Sequence, residues 1–434
     1  MMKGRLNVFQ ATMLRWRELH PYNAVHVVRI LAPLDAPHLT RDIDAVFAAR
    51  GLAGFELDAR RRRYEYTGGA AQTALEVLPG GGDPAEVLRG AMERGINLRF
   101  APDGRTDPFR FFAVDAGNSF HFGVAYDHVV AGGDSIVGLL ADIVARYAES
   151  ATAVPPPSLY PATGGPVFLR NAGYVLAGLT AVPSIMASAR RSLRPRYPRG
   201  NDRQNKFATM RISARGVDAI SRAARAWDVT RADLMMALLM KAIAPIAGDA
   251  RQDERRHEIG IASIINVRRE FGTSADTSFG QFLSSFRYAH PVPRGVALEQ
   301  LARDIHRETS RVRRRKLYLQ TLIALAGMVF LWPRLSPSQR ANVDAKNYPA
   351  WAGFTPLDVD ALWPKASAAR PPAEYLRAVS TGPASPLIVA ATTAGGMLHV
   401  GLSYRSAAYT SADIARIAAA LTDGVRTLET SFGP

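Results

Sequence analysis

His128 is the residue of this sequence best placed to do chemistry. The stretch 122–140 reads FGVAYDHVVAGGDSIVGLL: an apolar run ending at Asp127-His128, a Gly132-Gly133 pair, and an amphipathic run opening near Asp134-Ser135. That pattern predicts a strand, a tight turn and a helix. A histidine at a strand end beside glycines is presented at a cavity wall with little bulk around it. An imidazole titrates near neutral pH, so there it could take a proton from a hydroxyl, amine or thiol as a general base. The plainer reading is a histidine held by hydrogen bonds at a strand terminus. The stretch alone leaves both open.

The elements that must position His128 follow from hydrophobic periodicity. Residues 23–31 read as a strand, and 41–50 as a helix capped at Thr40. Residues 109–116 and 119–127 form a hairpin around Gly117-Asn118, and a helix follows over about 135–148. Residues 151–166 hold five prolines and two glycines, and 190–206 holds seven cations against one acid. Both break the regular pattern. Between them, 168–189 is mostly apolar and reads as a docked helical connector. Helices are predicted over 215–227, 231–244 (stopped by Pro245) and 411–429, with strands over 258–267, 387–393 and 398–404. The chain thus divides into 1–165, a connector 166–204, and 205–434, with mixed α/β structure in both halves.

The His128 segment resembles the active-site motif of the CoA-dependent acyltransferase superfamily, which includes chloramphenicol acetyltransferases, condensation domains and wax-ester synthases. That motif is His-His-x-x-x-Asp-Gly, commonly continued by x-Ser. His128 falls on the catalytic histidine, Gly133 on the glycine and Ser135 on the serine. Asp127 stands at the first histidine and Gly132 at the aspartate. The family aspartate pairs with a structural arginine, for which Arg268 or Arg269 is the candidate. With Gly132 at its position the aspartate partner is missing. Asp134, two residues late, is expected to point elsewhere and is at best a substitute, kept with Asp127, Gly132, Gly133, Ser135 and Arg268 as support of the motif. Segments 21–31, 97–114, 261–269 with 279–286, and 385–405 extend the resemblance over most of the chain.

The resemblance implies an α/β fold of two chloramphenicol-acetyltransferase-like subdomains, a V-shaped pseudo-dimer around a central tunnel. It implies a stand-alone condensation-type acyltransferase. His128 would act as general base, and an acyl thioester on CoA or on a carrier-protein phosphopantetheine would be the donor. The acceptor would be an alcohol or amine, in secondary metabolism or lipid assembly. No tightly bound cofactor or metal is expected. The contrasting reading, prompted by Gly132, is a catalytically silent binding or scaffold protein with the same fold. A third is a membrane-associated acyltransferase acting on a lipid alcohol.

Other chemistries fare worse. Gly133-Asp134-Ser135 suggests one lipase/esterase family, but those carry the serine near the N-terminus and a late Asp-x-x-His. Here the pair Asp35 and His38 precedes the serine, and no Gly-x-Ser-x-Gly elbow exists. The nine histidines include no His-Glu-x-x-His. The 434 residues carry 54 Lys and Arg against 38 Asp and Glu, a net charge of +16 that favours anionic partners. One basic run, Arg311, Arg313, Arg314, Arg315 and Lys316, is a candidate dock for CoA phosphates or an acidic carrier helix. Aromatics do not interleave with these arginines, which disfavours nucleic acid. Residues 317–332 are sixteen uncharged residues, short of the roughly 20 that span a bilayer. They read as a buried helix, with a helix lying on a membrane as the alternative. The absence of cysteine fits a reducing compartment, and no apolar secretion signal opens the chain, so the expected location is cytoplasmic or membrane-peripheral.

Overall fold

The computed structural model describes residues 2–69, 71, 73–148, 158–159, 165–195, 204–249, 255–273, 278–291, 293, 295–363 and 371–433. Most of the proline-rich break at 151–166, and 196–203 of the first basic run, lie outside the described residues. The first half contains α1 (Val8–Leu19), β1 (Asn23–Ile30), α2 (Ala36–Arg50), β2 (Leu75–Pro79), α3 (Pro84–Asn97), β3 (Phe109–Asp115), β4 (Phe120–Asp127) and α4 (Gly133–Tyr147). Gly117 takes φ +77° in the β3–β4 turn, a conformation glycine adopts without a Cβ penalty. Helix α2 starts earlier than Thr40. Asp35 accepts from the His38 N–H at 2.9 Å, and Pro37 sits in the first turn, where a missing N–H costs nothing.

The connector folds into Gly165–Arg170, α5 (Ala172–Leu179) and α6 (Val182–Arg191). The second half follows with β5 (Asn205–Ile212), α7 (Ala214–Ala226), α8 (Arg231–Asp249), β6 (Glu258–Asn266), β7 (Leu283–Pro291), α9 (Leu298–Arg314), α10 (Tyr318–Leu331), β8 (Ala352–Asp358), β9 (Tyr375–Val379), β10 (Leu387–Ala394), β11 (Met397–Arg405) and α11 (Ser411–Phe432). Helix α8 runs through Pro245 instead of stopping there. The turn beyond the proline buries Ala247 completely, and that packing outweighs the backbone bond proline cannot make.

Two large sheets carry the fold. One has the order β9-β1-β4-β3-β2, the other β5-β11-β10-β8-β6-β7. Strand β9 therefore leaves the second half to pair antiparallel with β1, Arg377 opposite His26. Side chains alternate along β1. Val25 and Val27 pack with Leu88, Met92 and Ile96 of α3, while Ala24 and Val28 belong to the larger core beneath α2 and α4. Tyr22 and His26, two residues to either side of Ala24, share that second face. So do Tyr126 on β4 and Arg377 on β9. Helices α7, α8, α9 and α11 pack in succession on the second sheet, and α1 packs on α10.

Candidate active site

The chain passes from β4 into α4 through a turn with few side chains. The His128 N–H donates to the Tyr22 carbonyl at 3.3 Å, and the Gly132 N–H donates to the Gly280 carbonyl at 2.9 Å. His128 is buried, and its Nδ1 lies 3.0 Å from the Ala131 carbonyl. A carbonyl can only accept, so this contact puts the proton on Nδ1 and leaves the lone pair on Nε2. Gln281 Nε2, 3.3 Å from Nδ1, has closer acceptors in the carbonyls of His128 and Ala131. Among the described residues Nε2 has no hydrogen-bond partner, and His128 lines a cavity of about 830 Å³. Tyr22 stacks on the ring at a centroid distance of 5.8 Å, and Tyr126 meets it edge-on at 5.7 Å. Burial, reinforced by the charge of Arg377, lowers the His128 pKa to about 4 despite the hydrogen bond to Ala131, so the imidazole is neutral at pH 7.

Asp127, on the first histidine of the motif, pairs with Arg17 of α1 and accepts from the Val129 N–H at 3.1 Å. Arg17 also donates to the Ala101 and Pro102 carbonyls, tying α1 to the strand end. Burial pushes the Asp127 pKa up, and Arg17 pulls against it.

Asp134 does not point elsewhere. Its Oδ1 accepts from Arg268 Nη2 at 3.1 Å, and its Oδ2 accepts from Arg268 Nε and, at 2.6 Å, from Asn266 Nδ2. A Cβ built on Gly132 would stand 3.0 Å from Asp134 Oδ1, so the Asp134 carboxylate lies where a side chain at 132 would grow. The missing partner of Arg268 is therefore supplied from the first turn of α4. Arg268 Nη2 also donates to Ser135 Oγ at 2.6 Å, Nη1 donates to the Ser278 carbonyl at 2.6 Å, and the guanidinium lies 4.1 Å from the Phe282 ring centroid. Ser135 Oγ accepts from the Gly280 N–H at 3.1 Å and donates back to the Gly280 carbonyl at 3.0 Å. Asp134 and Ser135 thus join the helix to the loop after β6. Arg269 takes no part in this network among the described residues. Gly133 faces the cavity, and a Cβ there would stand 3.3 Å from His26 Cε1, tighter than packing normally allows.

Four residues with no motif to announce them complete the site. Gln281, fully buried, donates from Nε2 to the carbonyls of His128 (2.9 Å) and Ala131 (3.2 Å), gripping the turn from the second half. His26 meets the Tyr375 hydroxyl at 2.8 Å from Nδ1, and burial holds its pKa well below the usual histidine value. Tyr22 and Arg377 line the same cavity. Period-two alternation on β1 could have flagged Tyr22 and His26. The pairing of β9 with β1 is not a sequence signal.

The basic run divides. Arg311 is held by Glu308 at 2.6 Å and, with Arg307, lines the cavity. Arg313, Arg314 and Arg315 are exposed at the end of α9. Lys316 is engaged by Glu270 and Asn171, each at 2.9 Å, and is removed from the set of docking cations. From Arg311 the cavity wall becomes apolar: Leu283, Phe286, Leu317, Ala324, Leu325 and Met328.

No protein-family model and no curated protein sequence matches the chain. Solved structures do. A mutant starter condensation domain of rhizomide synthetase RzmA in complex with C8-CoA matches at 14% identity with a TM-score of 0.69, over 100% of this chain and 96% of that one. The first condensation domain of the CDA synthetase matches at 14% and 0.64, over 100% and 97%. The epimerization domain from the third module of tyrocidine synthetase B matches at 13% and 0.66, over 99% and 97%. The chain has the fold of condensation domains, built from two chloramphenicol-acetyltransferase-like subdomains.

Proposed function

We propose that the chain is a condensation-type acyltransferase that moves an acyl group from a CoA or carrier-bound thioester to an alcohol or amine. The observation that carries this is His128, a neutral imidazole whose unshared Nε2 faces a large, mostly apolar cavity. In the proposed reaction Nε2 takes the proton of the acceptor O–H or N–H while the freed lone pair attacks the thioester carbonyl carbon. The tetrahedral intermediate collapses with cleavage of the C–S bond, and the imidazolium returns the proton to the departing thiolate. An ester or amide and a free thiol result. The apolar wall of β7 and α10 suits an acyl chain, and Arg307 and Arg311 suit the phosphates of the donor. Gly132 was the reason to suspect a silent scaffold, and the carboxylate of Asp134 on Arg268 weakens it. Replacing His128 by Ala is expected to slow transfer from an octanoyl thioester by about 10²–10⁴-fold with the fold retained. Unchanged transfer overturns the role of His128.

A second reading concerns the setting. Leu169, Tyr174, Leu176, Leu179, Phe330 and Leu331 are exposed on Gly165–Arg170, α5 and α10, and α5 packs on α10. The docking of the connector is thus one-sided. Helix α10 is likewise only half-buried: Leu319 and Leu322 are in the core while Phe330 is 65% exposed. No single helix among the described residues is long and apolar enough to cross a membrane. A surface of this kind, flanked by exposed Arg170, Arg190 and Arg334, fits an enzyme resting on anionic lipid.

A further inference from the structure

We infer that Arg377 is an anchor for a carboxylate on the acceptor, so that the molecule receiving the acyl group is an amino acid, a hydroxy acid or a similar acid. The inference rests on the acyltransferase reading and names its acceptor class.

Arg377 is 4% exposed. Its Nε donates to Thr392 Oγ1 at 2.8 Å, and its Nη2 donates to the carbonyls of Thr355 (2.6 Å) and Ala391 (3.2 Å). All three acceptors are neutral. They orient the guanidinium and leave its charge unbalanced. The buried Arg268 and Arg50, and the part-buried Arg17, each have a carboxylate: Asp134, Asp142 and Asp127. Arg377 has none within ion-pairing distance among the described residues. A buried charge is costly unless it is paired, and a guanidinium cannot shed its proton to escape that cost. The Arg377 pKa, lowered by burial to about 10, still leaves it charged at neutral pH.

The unbalanced charge faces the cavity. Arg377 lines it, and Nη1, which has no hydrogen-bond partner among the described residues, lies 3.6 Å from where a Cβ at Gly133 would stand. Gly133 is the first residue of the fifteen-residue helix α4, whose N-terminal end adds its own positive potential. The neighbouring histidines, His26 and His128, are neutral. The nearest carboxylate on that helix, Asp134, is already committed to Arg268 and Asn266. This end of the cavity thus carries a guanidinium and a helix N-terminus, and the one carboxylate beside it, Asp134, is already paired.

Position within the cavity assigns the carboxylate to the acceptor. Arg377 is fixed against β8 and β10, and Thr355 of β8 with Ser380, Thr381 and Ser385 of the loop after β9 also line the wall. The apolar wall lies on β7 and α10. In the sheet β7 is separated from β8 by β6, two strand spacings or about 10 Å. An acyl chain on the apolar wall and an acceptor acid on Arg377 then approach His128 from different sides. A transient oxyanion would not balance Arg377 before reaction, whereas a bound carboxylate does.

The test uses the wild-type protein without a thioester donor, so binding is read apart from transfer. Hexanoate and 3-hydroxyhexanoate are compared with the corresponding amides by calorimetry and thermal shift. The acids are expected to bind at least about tenfold more tightly than the amides and to raise the Tm. Arg377→Gln should abolish the difference, and Arg377→Lys, which keeps the charge and guards against a folding failure, should weaken it at a near-native Tm. In transfer assays Arg377→Gln should raise KM for acid acceptors at least about tenfold more than KM for their methyl esters. Equal binding of acids and amides to the wild type overturns the inference. So does an equal loss of kcat with acid and ester acceptors, which marks an oxyanion contact. A preference that follows a second carboxyl on the donor acyl group overturns the assignment to the acceptor. Carboxylate binding without any transfer retains the anchor and sinks the acyltransferase reading.

Discussion

At the scale of residues, the ionisation state of His128 makes the sharpest prediction. Its pKa of about 4 means that kcat/KM should stay flat through neutrality and fall only toward pH 4, where the base becomes protonated. An acid limb near pH 6.5 would mean an exposed imidazole and a different base. The same depression sets a stability trend. His128 and His26 bind protons near pH 6.5 in the unfolded chain but resist them when folded, so the unfolded state holds more protons below that pH. Tm should therefore decline as pH falls from 6.5 toward 4. The Asp134–Arg268 pair argues a second case. Asp134→Asn strands a buried guanidinium and should cost about 3–5 kcal/mol, read by chemical denaturation. Gly132→Asp alone crowds two carboxylates into one space and should also destabilise. Gly132→Asp combined with Asp134→Gly returns the carboxylate to the motif position and should recover much of the loss. No recovery in the double variant would falsify the equivalence of the two positions.

At the scale of elements, the strand–turn–helix around His128 was legible because its signals are local: an apolar run into Asp127, a glycine pair, then helical periodicity. The second-sheet strands β6, β10 and β11 were legible for the same reason. Packing of Ala247, a tertiary contact, carried α8 through Pro245, whereas the start of α2 turned on a local one: Asp35, not Thr40, caps the first turn. Asp134 was misjudged because its position depends on where the loop after β6 brings Arg268, across 134 residues of sequence. The outward faces of α5 and α10 carry the next prediction. Leu176→Glu with Phe330→Glu should abolish co-sedimentation with phosphatidylglycerol-containing vesicles while leaving transfer to a soluble acceptor intact. Equal sedimentation of wild type with purely zwitterionic vesicles counts against an anionic surface. On α9, reversing Arg313, Arg314 and Arg315 to Glu should raise KM for the donor by about tenfold at low salt with kcat held.

At the scale of the whole molecule, the site belongs to neither half. His128 comes from the first half, yet Gln281 clamps its turn, Arg268 holds the helix behind it and Arg377 arrives on β9, all from the second. That last strand is the strongest tie. Without it, β1 becomes an open edge exposing the five residues Ala24–Val28 that β9 pairs, beside a cavity wall. The core is likewise shared, since α1 packs on α10 and residues of both sheets belong to one apolar cluster. The division into 1–165 and 205–434 is visible in composition, but the stabilising contacts cross it. The protein should therefore unfold in a single calorimetric transition, with equal calorimetric and van't Hoff enthalpies. A fragment of residues 1–195 should fail to fold by itself, because it leaves β1 unpaired on one side and buries His128's turn against nothing. Co-expression with residues 204–434 should rescue it, since the second chain returns β9, Gln281 and Arg268 together. Two resolved transitions, or a well-dispersed amide spectrum from the isolated fragment, would show the halves to be independent. In that case the geometry at His128 would depend on docking between them and vary with conditions, and kcat would track the first transition. With a single cooperative unit, activity and native structure should instead be lost together on one denaturation curve.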